Sequence, residues 1–465
     1  MKGRYRMRRK LGFFGALLSV SSILAAQQSQ FQGSVPTGTA SNTPIALTLR
    51  EAIDRGLKAN LGLLVSDSNS EATRGQRVRA LSALLPQVNG QVSETVEQLN
   101  LKTIGFDLHI PGVSIPNIAG PFHYTDARAS ASWTAYDYTA RKNFRSAQES
   151  ERASRLSVQN ARDLVVQAVA AAYLQIIADA SRNDAIRSQV QTAQALYDRS
   201  VDQQKAGTSA GIDVLRSHVE LQQQQQRLLA QENQFAKDKL TLGRIIGFAS
   251  TQDFNIAESV PFSPLSSITE DQALRTALDQ RPDFQSYAAQ VRAAEDSVLA
   301  AHGQRYPTAG VTADYGDVGT TLASSHGTFS FVASAKFNIF DGGRIGADLI
   351  QAKAALKQRQ DELADLRGQI EYQVRTAFLD IRTAADQVAV AQSSLDLANQ
   401  TLAQARDRFS AGVSDTIEVV QAQESVATAN DSLISALYSH NVSKVALARA
   451  LGAADQGIQR LMEVK

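Results

Sequence analysis

Cysteine is absent from all 465 residues. Its absence removes disulfides, thiolate metal sites, a cysteine nucleophile and an acylated N-terminal cysteine as a lipid anchor. Any membrane attachment must therefore come from the fold. Net charge is almost absent too: 47 Lys+Arg stand against 46 Asp+Glu, leaving +1, so nothing in the balance points to nucleic acid or to an anionic partner. The six histidines (His109, His123, His218, His302, His326, His440) are scattered singly, with no pair at i, i+3 or i+4 to clamp a metal from one helix face. No Gly-rich phosphate loop, metal cluster or nucleophile triad is visible, so the reading contains no catalytic residue, no metal and no cofactor.

Long hydrophobic runs are scarce. One lies at the N-terminus, where Lys2, Arg4, Arg6, Arg8, Arg9 and Lys10 precede an apolar run from Leu11 to Leu24 and then Ala25-Ala26-Gln27. That order of basic, apolar and small residues is a secretory signal, residues 1–26, cleaved after Ala25 or Ala26. A retained anchor would need ~18 apolar residues to span a bilayer, more than this run supplies. Beyond the signal the nearest approach to a membrane helix is Leu164 to Ala178, interrupted by Gln167 and Gln175. If the exported chain sits in a membrane, strands must hold it there.

Proline is also sparse, and its placement is uneven. Of ten prolines, none lies between Pro121 and Pro261 and none follows Pro307. Proline inside a helix costs ~3 kcal/mol, so these tracts leave room for very long helices. Apolar residues recur within them at helical spacing: Val158, Ala161, Val165, Val169, Ala172, Ile176, and again Ile370, Val374, Phe378, Ile381, Ala385, Val388. A helix from Ala140 to Lys205, at ~1.5 Å per residue, is a rod on the order of 100 Å whose narrow apolar face needs partner helices.

What is present, above all, is an internal duplication. Thr48-Leu-Arg-Glu-Ala-Ile-Asp-Arg-Gly-Leu57 returns as Thr269-Glu-Asp-Gln-Ala-Leu-Arg-Thr-Ala-Leu278, and the same shift lays Pro86 on Pro307. Ala172-Tyr-Leu174 returns as Ala377-Phe-Leu379, Ala206-Gly207 as Ala411-Gly412, and Gly247 as Gly452. The two offsets differ because the first half carries a longer insertion, Leu99 to Tyr124, rich in Pro and Gly and read as a loop. The organisation is a polar leader at 27–47, a first repeat at 48–247, a linker at 248–267, a second repeat at 268–452 and a tail at 453–465. The first repeat holds strands near 87–98 and 126–136 and long helices at 140–206 and 211–247. The second holds strands near 308–316 and 328–340 and long helices at 343–411 and 415–452.

The strands are read from period-two alternation. Phe329, Phe331, Ala333, Ala335, Phe337 and Ile339 alternate with Ser330, Ser334, Lys336 and Asn338; Ala127, Ala129 and Ala131 alternate with Arg128, Ser130 and Ser132. Strands of about ten residues, apolar on one face and polar on the other, suit an outer-membrane barrel, with Trp133, Tyr136, Phe337 and Phe340 as aromatics at the water boundary. A half-buried soluble hairpin has the same pattern. Open strand edges cannot stand in lipid, and four strands cannot close a barrel that needs about eight, so several chains must share one. Two chains would supply eight strands and three would supply twelve.

These features resemble the TolC outer-membrane efflux protein family from about Thr48 to Gly452. The resemblance is carried by Leu49-Arg-Glu-Ala-Ile53 and its repeat, Leu84-Leu-Pro86 and Arg305-Tyr-Pro307, Phe337-Asn-Ile-Phe-Asp-Gly-Gly-Arg344, and Arg408-Phe-Ser-Ala-Gly-Val413 followed by Glu418. It implies an α+β membrane protein: a homotrimer with a twelve-strand barrel in the outer-membrane lipid, continued by a helical barrel in the periplasm. It also implies a periplasmic adaptor (membrane fusion) protein and an inner-membrane pump of RND, ABC or MFS type as partners. The duct itself would be passive, serving tripartite efflux or type I secretion. The first half departs at Tyr136-Asp-Tyr-Thr-Ala-Arg141, where the Gly-Gly pair is missing.

Ala206-Gly-Thr-Ser-Ala-Gly211 and Ala411-Gly-Val-Ser414 break the long helices and return the chain. By the resemblance these turns are the periplasmic tips, and Gly207, Thr208, Gly211, Gly412 and Val413 meet the adaptor. Asp213 and Glu418 occupy positions whose acids line the lumen in the family, where rings of negative charge would favour cations. An acid in a helix first turn also serves as an ordinary stabiliser of the helix. Ser414, Gln421 and Phe409 stand where the family has a basic residue, a second acid and an aromatic hydroxyl, and Asp415 could replace part of that network. The competing reading from another class is a periplasmic coiled-coil scaffold or adaptor without a barrel, which leaves the duplicated strand pairs unexplained.

Overall fold

A computed structural model describes residues 31, 33–36, 43–105, 116–257, 262–265, 268–452 and 454. The signal at 1–26 lies outside the described residues, as does the tail at 453–465 apart from Ala454, which is buried in the core. In chain order the elements are β1 (Ile45–Leu47), α1 (Leu49–Ala59), α2 (Leu61–Ser82), β2 (Gln87–Asn100), β3 (Ile118–Tyr136), α3 (Tyr138–Lys205) and α4 (Gly211–Ile245). They continue with β4 (Phe254–Ile256), α5 (Glu270–Gln280), α6 (Pro282–Gly303), β5 (Thr308–Gly319), β6 (His326–Lys336), α7 (Arg344–Ser410) and α8 (Thr416–Ala450).

The duplication is legible in element lengths. α1 and α5 are both 11 residues, α2 and α6 both 22, α3 and α7 68 and 67, and α4 and α8 both 35. The same chemistry starts each half. Thr48 caps α1 through the backbone N–H of Glu51, which reaches back to the Thr48 N–H, and Thr269 and Gln272 repeat this capping box at α5. The stretches that open each repeat, which the sequence shows as duplicated without showing their structure, are the helices α1 and α2 and their counterparts α5 and α6.

The chain divides into two compact units. One comprises residues 1–70, 154–286 and 364–465. Its main core gathers Leu47, Ile53, Val165, Val166, Val169, Tyr173, Ile176, Leu242, Ile246 and Phe254. The centre of α3 holds an 18-residue window apolar enough to cross a membrane, contrary to the sequence reading, but half of it is buried and supplies this core. A second cluster joins Ala273 and Ala277 of α5 to Ile370 and Val374 of α7 and Ala450 of α8. Of these core residues, Val165, Val169, Ile176, Ile370 and Val374 belong to the series picked out by helical periodicity.

Two segments read as irregular are ordered parts of this unit. β1, inside the leader at 27–47, pairs in parallel with β4, inside the linker at 248–267, with Ile45 opposite Phe254 and Leu47 opposite Ile256. Tyr173 seals the pair by donating its hydroxyl to the Leu47 carbonyl at 3.0 Å. Upstream, the Val35 N–H donates to the Ala59 carbonyl and the Leu61 N–H to the Gly33 carbonyl, pinning the leader along the α1–α2 junction.

Gly247 and Gly452 end α4 and α8 in the left-handed region, at φ 77° and 73°. An added Cβ would stand 2.4 Å from the Ala59 Cβ at Gly247 and 2.7 Å from the Arg281 Cα at Gly452. At Gly207 and Gly412 φ is also positive, but a Cβ meets nothing within 4 Å. Gly207→Ala should therefore cost only the ~1 kcal/mol of the left-handed backbone, while Gly247→Ala adds a clash with the Ala59 Cβ and should unfold the unit at clearly lower denaturant. Equal midpoints for the two variants would refute this.

The other unit comprises residues 71–153 and 287–363. It holds one four-stranded antiparallel sheet in the order β2-β3-β5-β6. Register is fixed by pairs such as Val88 with Ala131, Ala131 with Ala313, and Ala313 with Phe331. The insertion Leu99–Tyr124, read as a loop, instead extends the sheet: β2 continues to Asn100 and β3 begins at Ile118. Conversely β6 ends at Lys336, so Phe337 and Phe340 lie in the turn before α7 and not on the strand. Polar bridges tie the helices of this unit together: Lys142 to Asp296 at 2.8 Å, Arg292 to Glu149 at 2.8 Å, and Arg77 to Glu151.

Candidate functional site

Strand pairing sorts the side chains of the sheet onto two faces. Val88, Val92, Ala127, Ala129, Ala131, Trp133, Val311, Ala313, Tyr315, Phe329, Phe331 and Ala333 share one face by register. Its large members are open: Val92 is 76% exposed, Phe329 80% and Phe331 68%. Such a surface, formed by two edge strands and two central ones, is not left in water by a folded chain. Toward the strand ends joining β2 to β3 this face becomes polar, where Glu94 accepts from Thr125 and contacts the His123 ring nitrogen at 2.8 Å. From the Val92–Ala127 pair to Trp133 the apolar band runs six residues, about 20 Å of strand at ~3.3 Å each.

The opposite face carries Ser130, Ser132, Thr312, Ser330 and a charged cluster. Arg128 bridges Asp314 on the neighbouring strand and Asp126 on its own, and reaches Thr328 at 3.3 Å. Alternation alone puts Arg128 on the polar face without a partner; Asp314 lies 186 residues away, and only the strand register brings them together.

At the boundary of the apolar band Trp133, 46% exposed, donates its indole N–H to the Leu84 carbonyl at 3.1 Å, and Tyr136 ends β3 half exposed. Phe337 and Phe340 are 66% and 88% exposed in their turn. Where Gly-Gly is missing the strand-to-helix turn is shorter: only Asp137 separates β3 from α3, whereas residues 337–343, with the positive-φ glycines Gly342 and Gly343, separate β6 from α7. The Asp137 carboxylate accepts from the Ala140 N–H at 2.9 Å, as Asp341 accepts from Gly343 at 3.1 Å and Ile345 at 2.7 Å.

The helix returns are built alike. Gly207 and Gly412 take φ 75° and 72°, the Thr208 N–H donates to the Gln203 carbonyl and the Val413 N–H to the Arg408 carbonyl, both at 3.0 Å. Each is a Schellman turn, with the companion bonds Gly207 to Gln204 and Gly412 to Phe409. Gly211 has a different role from Gly207: it is the first residue of α4 and does not end a helix. Val413 is 68% exposed at the second turn.

The three acids divide their work. Asp415 is the N-cap of α8, its carboxylate accepting from the Ile417 and Glu418 N–H groups at 3.2 and 3.3 Å. Glu418 pairs with Arg408 across the turn at 3.1 Å. Asp213, in the first turn of α4, accepts from the Ser209 hydroxyl at 3.1 Å and has Arg216 at 3.7 Å. Phe409 is buried with Leu196, Ala405, Val419 and Ala422, and the Arg199 guanidinium lies 5.8 Å from its ring centroid. Arg408 and Arg199 were not singled out as site residues by sequence; basic residues in the last helical turns were the available signal. Asp415→Ala should cost about 1 kcal/mol and fray the start of α8, whereas Glu418→Gln, losing one exposed pair, should leave stability nearly unchanged. Hydrogen exchange at Ile417 and Glu418 distinguishes the two.

Between the first turns of α4 and α8 runs a groove of about 410 Å³ lined by Ile212, Leu215, Val219, Ile417 and Val420. Among the described residues no group of three or more His, Asp or Glu side chains is placed to hold a metal ion.

Comparison with known proteins agrees with this architecture. The probable outer membrane lipoprotein SilC of Salmonella typhimurium is 27% identical over 37% of this chain and 38% of its own length. The pyoverdine export outer membrane protein OpmQ of Pseudomonas aeruginosa is 23% identical over 87% of this chain and 85% of that protein. The crystal structure of the Campylobacter jejuni CmeC outer membrane channel superposes with a TM-score of 0.76 at 17% identity, over 91% of this chain and 92% of the other. The outer membrane efflux protein family matches residues 52–248 and 273–453, most of both repeats. This chain therefore belongs to the outer membrane efflux protein family and is an efflux channel of the outer membrane.

Proposed function

We propose that three copies of the chain close their four-stranded sheets into one twelve-strand barrel in the outer membrane, with twelve long helices forming a tunnel in the periplasm. The carrying observation is the sheet itself. Its order β2-β3-β5-β6 leaves β2 and β6 each paired on one side only, beside a face too apolar and exposed for water. In hydrocarbon each unpaired backbone group costs several kcal/mol, so the two edges must find each other on neighbouring copies. The polar face, with Arg128, Asp126 and Asp314, then lines the lumen.

The duct is passive and performs no catalysis. An adaptor docks at the tips, on Gly207, Thr208, Gly211, Gly412 and Val413 and along the apolar groove beside Ile212 and Ile417, and links the duct to an inner-membrane pump of RND, ABC or MFS type. Asp213, Asp415 and Glu418 stand at the periplasmic mouth. Asp415 spends its carboxylate on helix capping, so the charge offered to the lumen comes from Asp213 and Glu418, held back by Arg216 and Arg408.

Separation of inner from outer membranes, followed by gel analysis of unheated and crosslinked detergent extracts, tests the assembly. An outer-membrane band near three times the 50.1 kDa chain supports it. A soluble periplasmic monomer or dimer would replace the duct with the coiled-coil scaffold.

A further inference from the structure

Away from the sheet and the helix returns, a cavity of about 370 Å³ opens between α7, the start of α5 and the residues leading into it. Its walls are apolar: Pro264, Leu265, Phe378, Leu379, Ile381 and Ala385. His440 of α8 also lines it, only 1% exposed, and neither ring nitrogen has a hydrogen-bond partner. One face of the imidazole is covered by Phe262 at 4.7 Å between centroids. A buried polar ring with both nitrogens unsatisfied, facing a cavity, is costly unless something enters to take the hydrogen bond.

We propose that this cavity binds a small organic carboxylate with an apolar body, its carboxylate accepting the His440 imidazole N–H and its body lying against Phe378, Leu265 and Ile381. The charges around the cavity favour an anion. Lys444, one helical turn beyond His440, places a buried positive charge near the ring, and Arg382 lies on the lining as a second cation. The one acid of the lining, Glu270, is engaged by Arg375 at 3.3 Å. Burial first, and then the Lys444 charge, hold the His440 pKa below the ordinary histidine range, which favours the uncharged ring with its one N–H. The volume lies at the lower end of the ~300–1,000 Å³ typical of small-molecule sites, which suits a ring or short chain.

Benzoate is the probe, titrated calorimetrically into the full chain in detergent, with benzyl alcohol as the uncharged control. Saturable binding at one site per chain is expected, at least tenfold tighter than the control. His440→Gln should weaken it tenfold or more and Arg382→Gln about threefold. Ala385→Leu, which leaves His440 and every charge in place, should abolish binding by filling the cavity, and keeps the test decisive if His440→Gln fails to fold. Absence of saturable binding, or equal binding by the wild type and Ala385→Leu, overturns the proposal. Neither result bears on the duct, whose barrel involves none of these residues.

Discussion

Arginine in place of Phe331 is expected to stop the chain from accumulating in the outer membrane, while arginine at Ser330, its neighbour along β6, is tolerated. Phe331 shares its face with Ala313, Ala131 and Val88, and Ser330 shares the other with Asp314 and Ser130. A cationic side chain on the lipid face of a barrel costs up to ~2–4 kcal/mol, and a shared barrel would incur that cost in every copy. On the polar face a long basic side chain joins Arg128 and Asp314 in water. The readout is the amount of heat-modifiable oligomer in the outer-membrane fraction. Equal loss in both variants would mean that the two faces are equivalent and the face assignment is wrong.

The second large effect concerns Asp283. Its carboxylate receives two hydrogen bonds from Arg281, at 2.6 and 3.0 Å, one from the Phe284 N–H at 2.9 Å, and has the Arg449 guanidinium at 3.5 Å. Arg281 is buried and also reaches Gln373 on α7, so the cluster joins the α5–α6 junction to α7 and α8. Removing the acid leaves two buried guanidinium groups facing one another, and Asp283→Ala should cost about 3–5 kcal/mol, seen as a large fall in the denaturant midpoint. Burial alone would raise the Asp283 pKa, but the Arg281 hydrogen bond and charge, with the Arg449 charge, outweigh it and hold the carboxyl below its ordinary value. Because the folded pKa is depressed, the stabilisation is complete above the ordinary carboxylate value of ~3.9 and is lost as pH falls through the lower folded value. The gap between wild type and Asp283→Asn should accordingly be constant from neutral pH down to about pH 5 and close below it. A gap that widens in acid would contradict the assigned sign.

These two sites also mark where the sequence was legible. The faces of the sheet could be read because period two is local: Ala127, Ala129 and Ala131 declare themselves within five residues. Schellman turns at Gly207 and Gly412 could be read for the same reason, since one glycine and its neighbours make the whole motif. The Asp283 cluster could not, because Arg281, Gln373 and Arg449 meet only after three helices pack. β1 and β4 were missed since three-residue strands carry no period, and Ile45 finds Phe254 more than two hundred residues on. At the end of β6 the local signal misled. Phe337 and Ile339 continue the alternation beyond Lys336, but the chain turns there because the positive-φ glycines Gly342 and Gly343, and Asp341, which accepts from the Ile345 N–H, lead into α7. Among the acids at the helix returns, Asp213 and Glu418 read as charge ring or helix stabiliser and Asp415 as a substitute in the gate network; the hydrogen bonds to Ile417 and Glu418 make Asp415 the N-cap of α8, which the sequence did not show.

The central claim, that β6 of one copy meets β2 of the next, can be tested on a chain that has no cysteine of its own. Val92→Cys and Ala333→Cys are introduced together, one on each edge strand on the apolar face, and outer membranes are treated with a short bifunctional thiol reagent. The account predicts covalent dimers and trimers, with the series ending at three, and only dimers when the two substitutions are carried on separate chains and mixed. Monomers alone, or a ladder running past three, would show that these edges do not close a three-chain barrel.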